Sequence, residues 1–226
     1  MATEGKLSDL DYCYASWELL KDLEKNSYSR NECIRAFQEK ANARQTLIIG
    51  IFAMILPLIV WGRLLLSGNG LRDILSSNVA TRLVGLLMVS AFLFVLVFML
   101  LKSFWETKAL RPLKKMTEKD LRANLMETVQ NIDNQAESIV NHRIFSEGRI
   151  PENFLSAEML PLLIRYFERG QVTIMKEAIY SLKLELQNTG YYTNLMPSET
   201  LLQKEREYLS DERSNLEKKI EEGEKL

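Results

Sequence analysis

A run of nineteen residues without Asp, Glu, Lys or Arg, residues 83–101, constrains the fold of this 226-residue chain more than any other feature. A bilayer core about 30 Å thick requires roughly 20 apolar residues in a helix. Arg82 precedes the run, and Lys102 and Trp105 follow it. Basic and aromatic side chains are typical of the positions where spanning helices meet the lipid headgroups. The run therefore predicts a transmembrane helix at residues 83–104.

A second apolar stretch, residues 47–62, also lacks charged side chains but is shorter. It reaches spanning length when Arg63 is included, because a long basic side chain near a helix end can extend its charge to the headgroups. Pro57 removes one backbone donor, which a spanning helix tolerates when a neighbouring helix satisfies the freed group. The stretch predicts a kinked spanning helix at residues 46–66. The alternative is the buried core helix of a soluble protein.

Basic residues are concentrated on the outer flanks of the two stretches. Four Lys or Arg lie between positions 30 and 44 and six between 102 and 119, against two in the connecting residues 67–82. Because Lys and Arg favour the cytoplasmic side, we expect a multi-pass plasma-membrane protein with both termini in the cytoplasm. The basic and aromatic residues predicted to lie at the membrane interface are Trp61, Arg63, Arg82, Lys102, Trp105, Lys108, Arg111, Lys114 and Lys115.

Composition argues against several kinds of site. The formal net charge is −1, whereas nucleic-acid-binding domains are usually strongly basic. The chain holds one His and two Cys, fewer than the ligands of a structural zinc site. Acid pairs such as Glu158 and Glu168 occur in any helical protein, so they do not indicate catalysis. We therefore predict no nucleic-acid partner, metal, cofactor or catalytic residue, and two free thiols at Cys13 and Cys33.

The first 45 residues predict two helices packed as a hairpin. Ser29 and Glu32 have the spacing of a capping box, which predicts that the second helix begins there and continues into the first span. The first helix would bury the face formed by Leu10, Cys13, Tyr14, Trp17 and Leu20.

Residues 117–148 predict the longest helix outside the spans. Its apolar residues recur at steps of three and four, which is typical of an amphipathic helix. That face would pack against residues 154–186 or, as the alternative, dock a partner. His142 at its edge has no catalytic pattern around it and is interpreted as structural.

Residues 150–186 predict a helical hairpin, with Ser156 as an N-cap, Gly170 as the helix stop and Thr173 as the next N-cap. The segment resembles a recurring stretch in small uncharacterised membrane proteins of Gram-positive bacteria. The matching residues are Ile150, Pro151, Glu152, Gly170, Lys176, Glu177, Ala178 and Ile179. That stretch usually has Arg-Ala-Asp where this chain has Gln171, Val172 and Thr173. The resemblance implies a bacterial origin and no known activity.

The tail is dominated by charge, with fifteen charged residues between positions 198 and 226. Ser198 is the candidate N-cap of a helix in which three leucines are spaced seven apart. Because the positions between them are mostly charged, we predict a solvated helix. The alternative is a short oligomerising coiled coil.

Together these features predict an all-α integral membrane protein with a two-helix transmembrane hairpin and cytoplasmic helical N- and C-terminal regions. The predicted segments are an amino-terminal helical region (1–45), transmembrane helix 1 (46–66), an external loop (67–82), transmembrane helix 2 (83–104), a basic linker (105–116), a cytoplasmic helical domain (117–190) and a charged helical tail (191–226).

The predicted function is that of a non-enzymatic membrane adaptor or accessory subunit acting through its amphipathic helices. The alternative is a homo-oligomeric channel-like or membrane-perturbing protein. Expected partners are the lipid bilayer, with contacts to anionic headgroups, and a protein or a second copy. The candidate partner-binding residues are Leu121, Leu125, Val129, Ile132, Ile139, Leu202, Leu209 and Leu216.

Overall fold

The structure, a computed structural model, describes residues 8–66, 79–105, 107, 110–188 and 200–222. These residues form helices and turns and no strands, which confirms the all-α prediction. A 3₁₀ turn occupies Glu152–Phe154, and a π-helical turn at Tyr208–Glu212 joins the last two helices. The α-helices are α1 (Asp9–Leu66), α2 (Val79–Trp105), α3 (Arg111–Val140), α4 (Arg143–Glu147), α5 (Met159–Glu168), α6 (Met175–Asn188), α7 (Leu201–Glu207) and α8 (Arg213–Glu222).

The chain divides into two compact units. Residues 1–35 and 123–226 form one, the core unit, and residues 36–122 form the other, the apolar unit. The core unit contains the first part of α1, the end of α3 and α4 to α8. The apolar unit contains the rest of α1, all of α2 and the start of α3.

Helix α1 is continuous over 58 residues, so the prediction of two amino-terminal helices packed as a hairpin is wrong. The predicted break, KNSYS at residues 25–29, contains neither Gly nor Pro, and Asn and Ser disfavour a helix only weakly. Ser29 and Glu32 therefore lie inside the helix. The helix also continues through Pro57.

The core unit buries one face of α1 against α3, α5, α6 and α7. Tyr12, rather than Tyr14, belongs to this face, and its hydroxyl donates a 2.6 Å hydrogen bond to the carbonyl of Ile144. Tyr14 is exposed and donates to a carboxylate oxygen of Glu168. The largest fully buried apolar side chains of this core are Tyr12, Leu20, Leu23, Ile150, Met159, Leu160, Leu163, Leu182 and Leu202.

The long amphipathic helix is shifted from its predicted bounds. Helix α3 begins at Arg111 instead of 117, because Pro112 in a first turn needs no backbone donor. It ends at Val140 instead of near Gly148, and His142 then caps α4 by accepting the Ile144 N–H at Nδ1, 3.3 Å away. The structural interpretation of His142 is confirmed.

The hairpin of α5 and α6 has the predicted helix stop, one predicted side-chain cap and one unpredicted side-chain cap. Gly170 adopts φ 64°, and the Gly170 and Gln171 amides bond the carbonyls of Phe167 and Tyr166, which is a Schellman end. The Oγ of Ser156 accepts the Met159 amide at 3.2 Å, the bond predicted for an N-cap, although the residue that directly precedes α5 is Glu158. At the start of α6, the Met175 amide bonds Asp9 Oδ2 at 2.8 Å, so the cap comes from α1 and not from Thr173.

The charged tail is part of the core unit, so the prediction of a solvated helix is wrong. Leu202 is 0% exposed and Ile220 is 2% exposed, because most of the charged residues between them occupy the outer face. The helix begins with a reciprocal capping box between Thr200 and Gln203. The predicted cap, Ser198, lies outside the described residues.

In the apolar unit, two helices are long and apolar enough to cross a membrane: α1 up to Arg63 and α2 from Val84 to Trp105. In the most apolar 18-residue stretch of α2, no residue is buried. The two helices contact each other where the indole N–H of Trp61 donates a 3.0 Å hydrogen bond to Ser90 Oγ.

We expect the two free cysteines to differ in reactivity. Cys13 is fully buried beside Met175, and burial, aided by the charge of Asp9, raises the pKa of its thiol to about 12. Cys33 is only half-buried. Because the thiolate is the reactive form, Cys13 should react ~10³-fold more slowly with iodoacetamide than an ordinary thiol. Mass spectrometry should find one label in the native chain and two after denaturation; rapid double labelling would contradict the buried site.

Candidate functional site

The most heavily buried charged groups of the core unit meet at one arginine. Arg30 of α1 bonds Asp133 of α3 from Nε at 2.7 Å, and holds Glu205 of α7 with two nitrogens at 2.8 and 3.2 Å. All three residues are less than 5% exposed. The planar guanidinium matches two carboxylates in this way because its donors point in fixed directions.

Tyr208 completes this group, which we call the Arg30 cluster: Arg30, Asp133, Glu205 and Tyr208. The guanidinium carbon of Arg30 lies 3.8 Å from the ring centroid of Tyr208. The Tyr208 hydroxyl donates to Asp133 Oδ2 at 3.3 Å. Burial raises the pKa of Tyr208, and the Asp133 charge raises it further, so the phenol stays protonated as a donor. Burial also raises the pKa of Asp133, and Arg30 opposes that shift.

The π-helical turn at Tyr208–Glu212 lies between the cluster and α8. Such a turn holds one extra residue, which rotates the following helix by about 100° relative to an uninterrupted one. Tyr208 can therefore lie over Arg30 while Ile220 is still buried. Turns of this kind are frequent at functional sites.

A cleft of about 570 Å³ opens beside the Arg30 cluster. That volume lies within the usual range for ligand sites. One wall is a single face of α1, at steps of three and four residues, and the other is formed by α7, the π-helical turn and α8. Besides Arg30, Glu205 and Tyr208, the lining residues are Ser27, Asn31, Ile34, Lys204, Glu212, Asn215, Leu216 and Lys219.

The cleft combines amide, hydroxyl and ammonium groups with two aliphatic side chains. Arg30 is shared between Asp133 and Glu205, and the other charged residues of the lining are Lys204, Lys219 and Glu212. Both lysines are exposed, and neither forms an ion pair with another residue that the structure describes. The lining can therefore bind a carboxylate and hydrogen-bond a polar segment. Among the same residues, no group of three or more His, Cys, Asp or Glu is placed to hold a metal ion.

The candidate partner-binding residues fall into two groups. Leu125, Val129 and Leu202 are buried within the core unit, where they contact the chain's own core. The others are half-buried, and Leu216 alone among the eight lines the cleft. The half-buried residues are Leu121, Ile132, Ile139, Leu209 and Leu216.

The predicted interface residues belong to the apolar unit. Trp61 is half-buried by its contact with Ser90, and Trp105 is 7% exposed with no partner for its indole N–H among the described residues. Lys114 is half-buried, while Arg63, Lys102 and Lys115 are exposed. Lys108 and the side chains of Arg82 and Arg111 lie outside the part that the structure describes.

Sequence reasoning missed the Arg30 cluster. One signal was present: Asp133 stands four residues after Val129 and three before Ala136, at a position of the apolar face of α3. An acid at a buried position requires a partner.

Comparison with protein-family models, with curated proteins and with solved structures finds no match to the chain.

Proposed function

We propose that the protein is a non-enzymatic membrane adaptor or accessory subunit, anchored by the apolar unit and binding a partner protein through the cleft of the core unit. The observation that carries this proposal is the cleft itself, a polar recess with two lysines that have no ion-pair partner in the described chain. The Arg30 cluster supports it, since a saturated ion-pair group fixes both walls of the cleft and leaves the lysines for a ligand.

Anchoring is supported by the surface of the apolar unit. Leu58, Phe92 and Met99 are 65%, 70% and 68% exposed, and many further apolar residues of α1 and α2 are exposed with them. A soluble monomer rarely exposes a continuous apolar surface of this extent, whereas lipid stabilises it. Two antiparallel spans place both termini on one side, and the excess of Lys and Arg on the flanks favours the cytoplasmic face of the plasma membrane.

Topology can be measured in intact cells. Single cysteines in a Cys13→Ser/Cys33→Ser background would be placed at residues 25, 70 and 185. We expect an impermeant maleimide to label position 70 from outside and the other two only after lysis. Labelling of all three in intact cells would contradict cytoplasmic termini, and extraction of the chain by alkaline carbonate would contradict spanning.

The partner segment would carry carboxylates, because the net charge of the cleft beyond the Arg30 ion pairs is positive. Replacing both lysines, Lys204→Glu/Lys219→Glu, should abolish co-purification of the partner when the tagged full chain is extracted gently from its native membrane. The matched control is Lys176→Glu/Lys183→Glu, which makes the same charge change on exposed residues of α6 outside the cleft. Light scattering with protein identification gives the stoichiometry.

The outcomes separate the alternatives. A stoichiometric second polypeptide that is lost only from the cleft variant supports the adaptor and its site. A partner retained by both variants contradicts the cleft as its site. A clean multiple of 26.2 kDa with no second polypeptide contradicts the accessory subunit and favours self-assembly.

A further inference from the structure

We propose that the apolar unit carries a basic surface that binds the anionic headgroups of membrane phospholipids; this inference rests on the proposed insertion of its two apolar helices. The surface, called the basic collar, consists of Lys40, Arg44, Lys102, Lys114, Lys115 and Lys119. All six lie next to an end of an apolar stretch or on the helix paired with it. These six residues can act together on a membrane surface only where they share one level along the helix axes.

Two contacts set the pairing of α1 with α3 inside the apolar unit. Arg44 Nη1 donates a 2.6 Å hydrogen bond to the carbonyl of Thr117, and the Arg122 guanidinium lies 5.2 Å from the ring centroid of Phe37. From the Phe37–Arg122 contact to the Arg44–Thr117 contact, residue numbers rise along α1 but fall along α3. The two helical segments are therefore antiparallel.

This pairing places lysines where the apolar stretch begins. Leu47, its first residue, lies three residues beyond Arg44, about 4.5 Å along the axis. Because α3 is antiparallel to α1, the same distance in the same direction corresponds to three residues back from Thr117, which is Lys114. Lys115 lies next to it. Lys119 lies level with the turn that holds Lys40, about one turn further from the apolar stretch.

Helix α2 brings a third basic end to the same level. The Trp61–Ser90 hydrogen bond joins α1 to α2. If α2 runs antiparallel to α1, as the proposed spanning hairpin requires, fourteen residues back from Trp61 and fourteen onward from Ser90 place Leu47 level with Phe104. Lys102 then lies within one turn of the start of the apolar stretch. Arg44, Lys102, Lys114 and Lys115 thus share one layer, the layer that headgroups occupy if the helices span.

The charge of this region is opposite to that of the chain. Residues 36–46 and 102–122 contain nine Lys or Arg against four Asp or Glu, although the whole chain has a net charge of −1. One of the four acids, Glu118, is buried in an ion pair with Arg122 at 2.6 Å. Lys40, Arg44, Lys102, Lys115 and Lys119 are exposed, and Lys114 is half-buried.

The positive-inside rule explains basic residues near a span as determinants of its orientation. Orientation does not require that the basic side chains lie at the same level along the helix axes. Several cations at one level act together on an anionic surface, because each adds a favourable interaction of similar size within a Debye length. Five of the six are lysines, which bind as point charges and not as planar forks. The collar should therefore select headgroups by net negative charge, and the ligand class is anionic phospholipid.

The test uses the full chain reconstituted in vesicles of phosphatidylcholine alone and of phosphatidylcholine mixed with phosphatidylglycerol. After gentle detergent extraction, mass spectrometry measures the ratio of the two lipids that stay bound, relative to the bulk ratio. We expect at least about tenfold enrichment of phosphatidylglycerol, because about 1 kcal/mol per basic residue corresponds to roughly thirtyfold per pair of lysines. High salt should remove most of the enrichment.

The test variant is Lys102→Gln/Lys114→Gln/Lys115→Gln, and the matched control is Lys176→Gln/Lys183→Gln/Lys218→Gln, which removes the same charge from exposed positions of the core unit. Loss of enrichment in the first variant alone supports the collar. Equal enrichment in both variants, or none in the unchanged chain, overturns it. Carbonate extraction of the same vesicles tests insertion separately: an inserted chain without enrichment contradicts only the collar, whereas an extractable chain contradicts the proposed anchoring.

Discussion

Replacing Arg30 by methionine is expected to lower the free energy of unfolding of the core unit by about 3–5 kcal/mol. The substitution leaves Glu205, 4% exposed, without its ion-pair partner, and leaves Asp133, 0% exposed, with only a 4.0 Å ion-pair contact to Arg213. Urea unfolding of the full chain in detergent micelles would measure the loss. Trp17, which packs against the core, reports on this unit alone in a Trp61→Phe/Trp105→Phe background.

Arg206→Met is the control for the Arg30 variant. Arg206 forms an ion pair with Glu152, but both side chains are more than 40% exposed, so we expect a loss below about 1 kcal/mol. Replacing the whole ion-pair group, Arg30→Met/Asp133→Leu/Glu205→Met, should recover most of the stability, because no buried charge remains. An Arg30 variant as stable as the control would show that water reaches the cluster.

Leu202→Ala is expected to destabilise the core unit by about 2–5 kcal/mol, the usual effect of truncating a fully buried leucine. Leu202 is 0% exposed, although it belongs to the most highly charged part of the chain. The same fluorescence experiment measures the effect, with Leu216→Ala as the matched control at a half-buried position of the cleft. If Leu202→Ala changed stability no more than Leu216→Ala, the tail would be solvated after all.

Two elements were predictable because their signals are local. The charge-free run at 83–101 is too long and too apolar for anything but a helix, and α2 covers it. The amphipathic period of α3 is also local, since Leu125, Val129 and Ala136 follow one face for several turns. Its ends were misplaced, because its start depends on the first-turn position of Pro112 and the chain after Val140 begins a new helix, α4, which His142 caps.

The Arg30 cluster was not predictable in the same way. Its ion pairs join residues 103 and 175 positions apart, and each charge resembles many solvated neighbours in the sequence. Whether a charge is buried is decided by the helices that pack around it. The same reason explains the tail, in which a high proportion of charged residues obscured the few positions that face the core.

The large separation in sequence between Arg30 and Glu205 determines when the Arg30 cluster can form during protein synthesis. Arg30 is made early, but Glu205 follows 175 residues later. At about 5–20 residues per second, the ribosome needs roughly 9–35 s to supply it. Throughout that interval Arg30 lacks the carboxylate of Glu205, and the first part of α1 lacks Leu202, so neither the cluster nor the core is complete. A chain truncated before Glu205 could not complete the packing of the core unit, so we expect cellular proteases to degrade it.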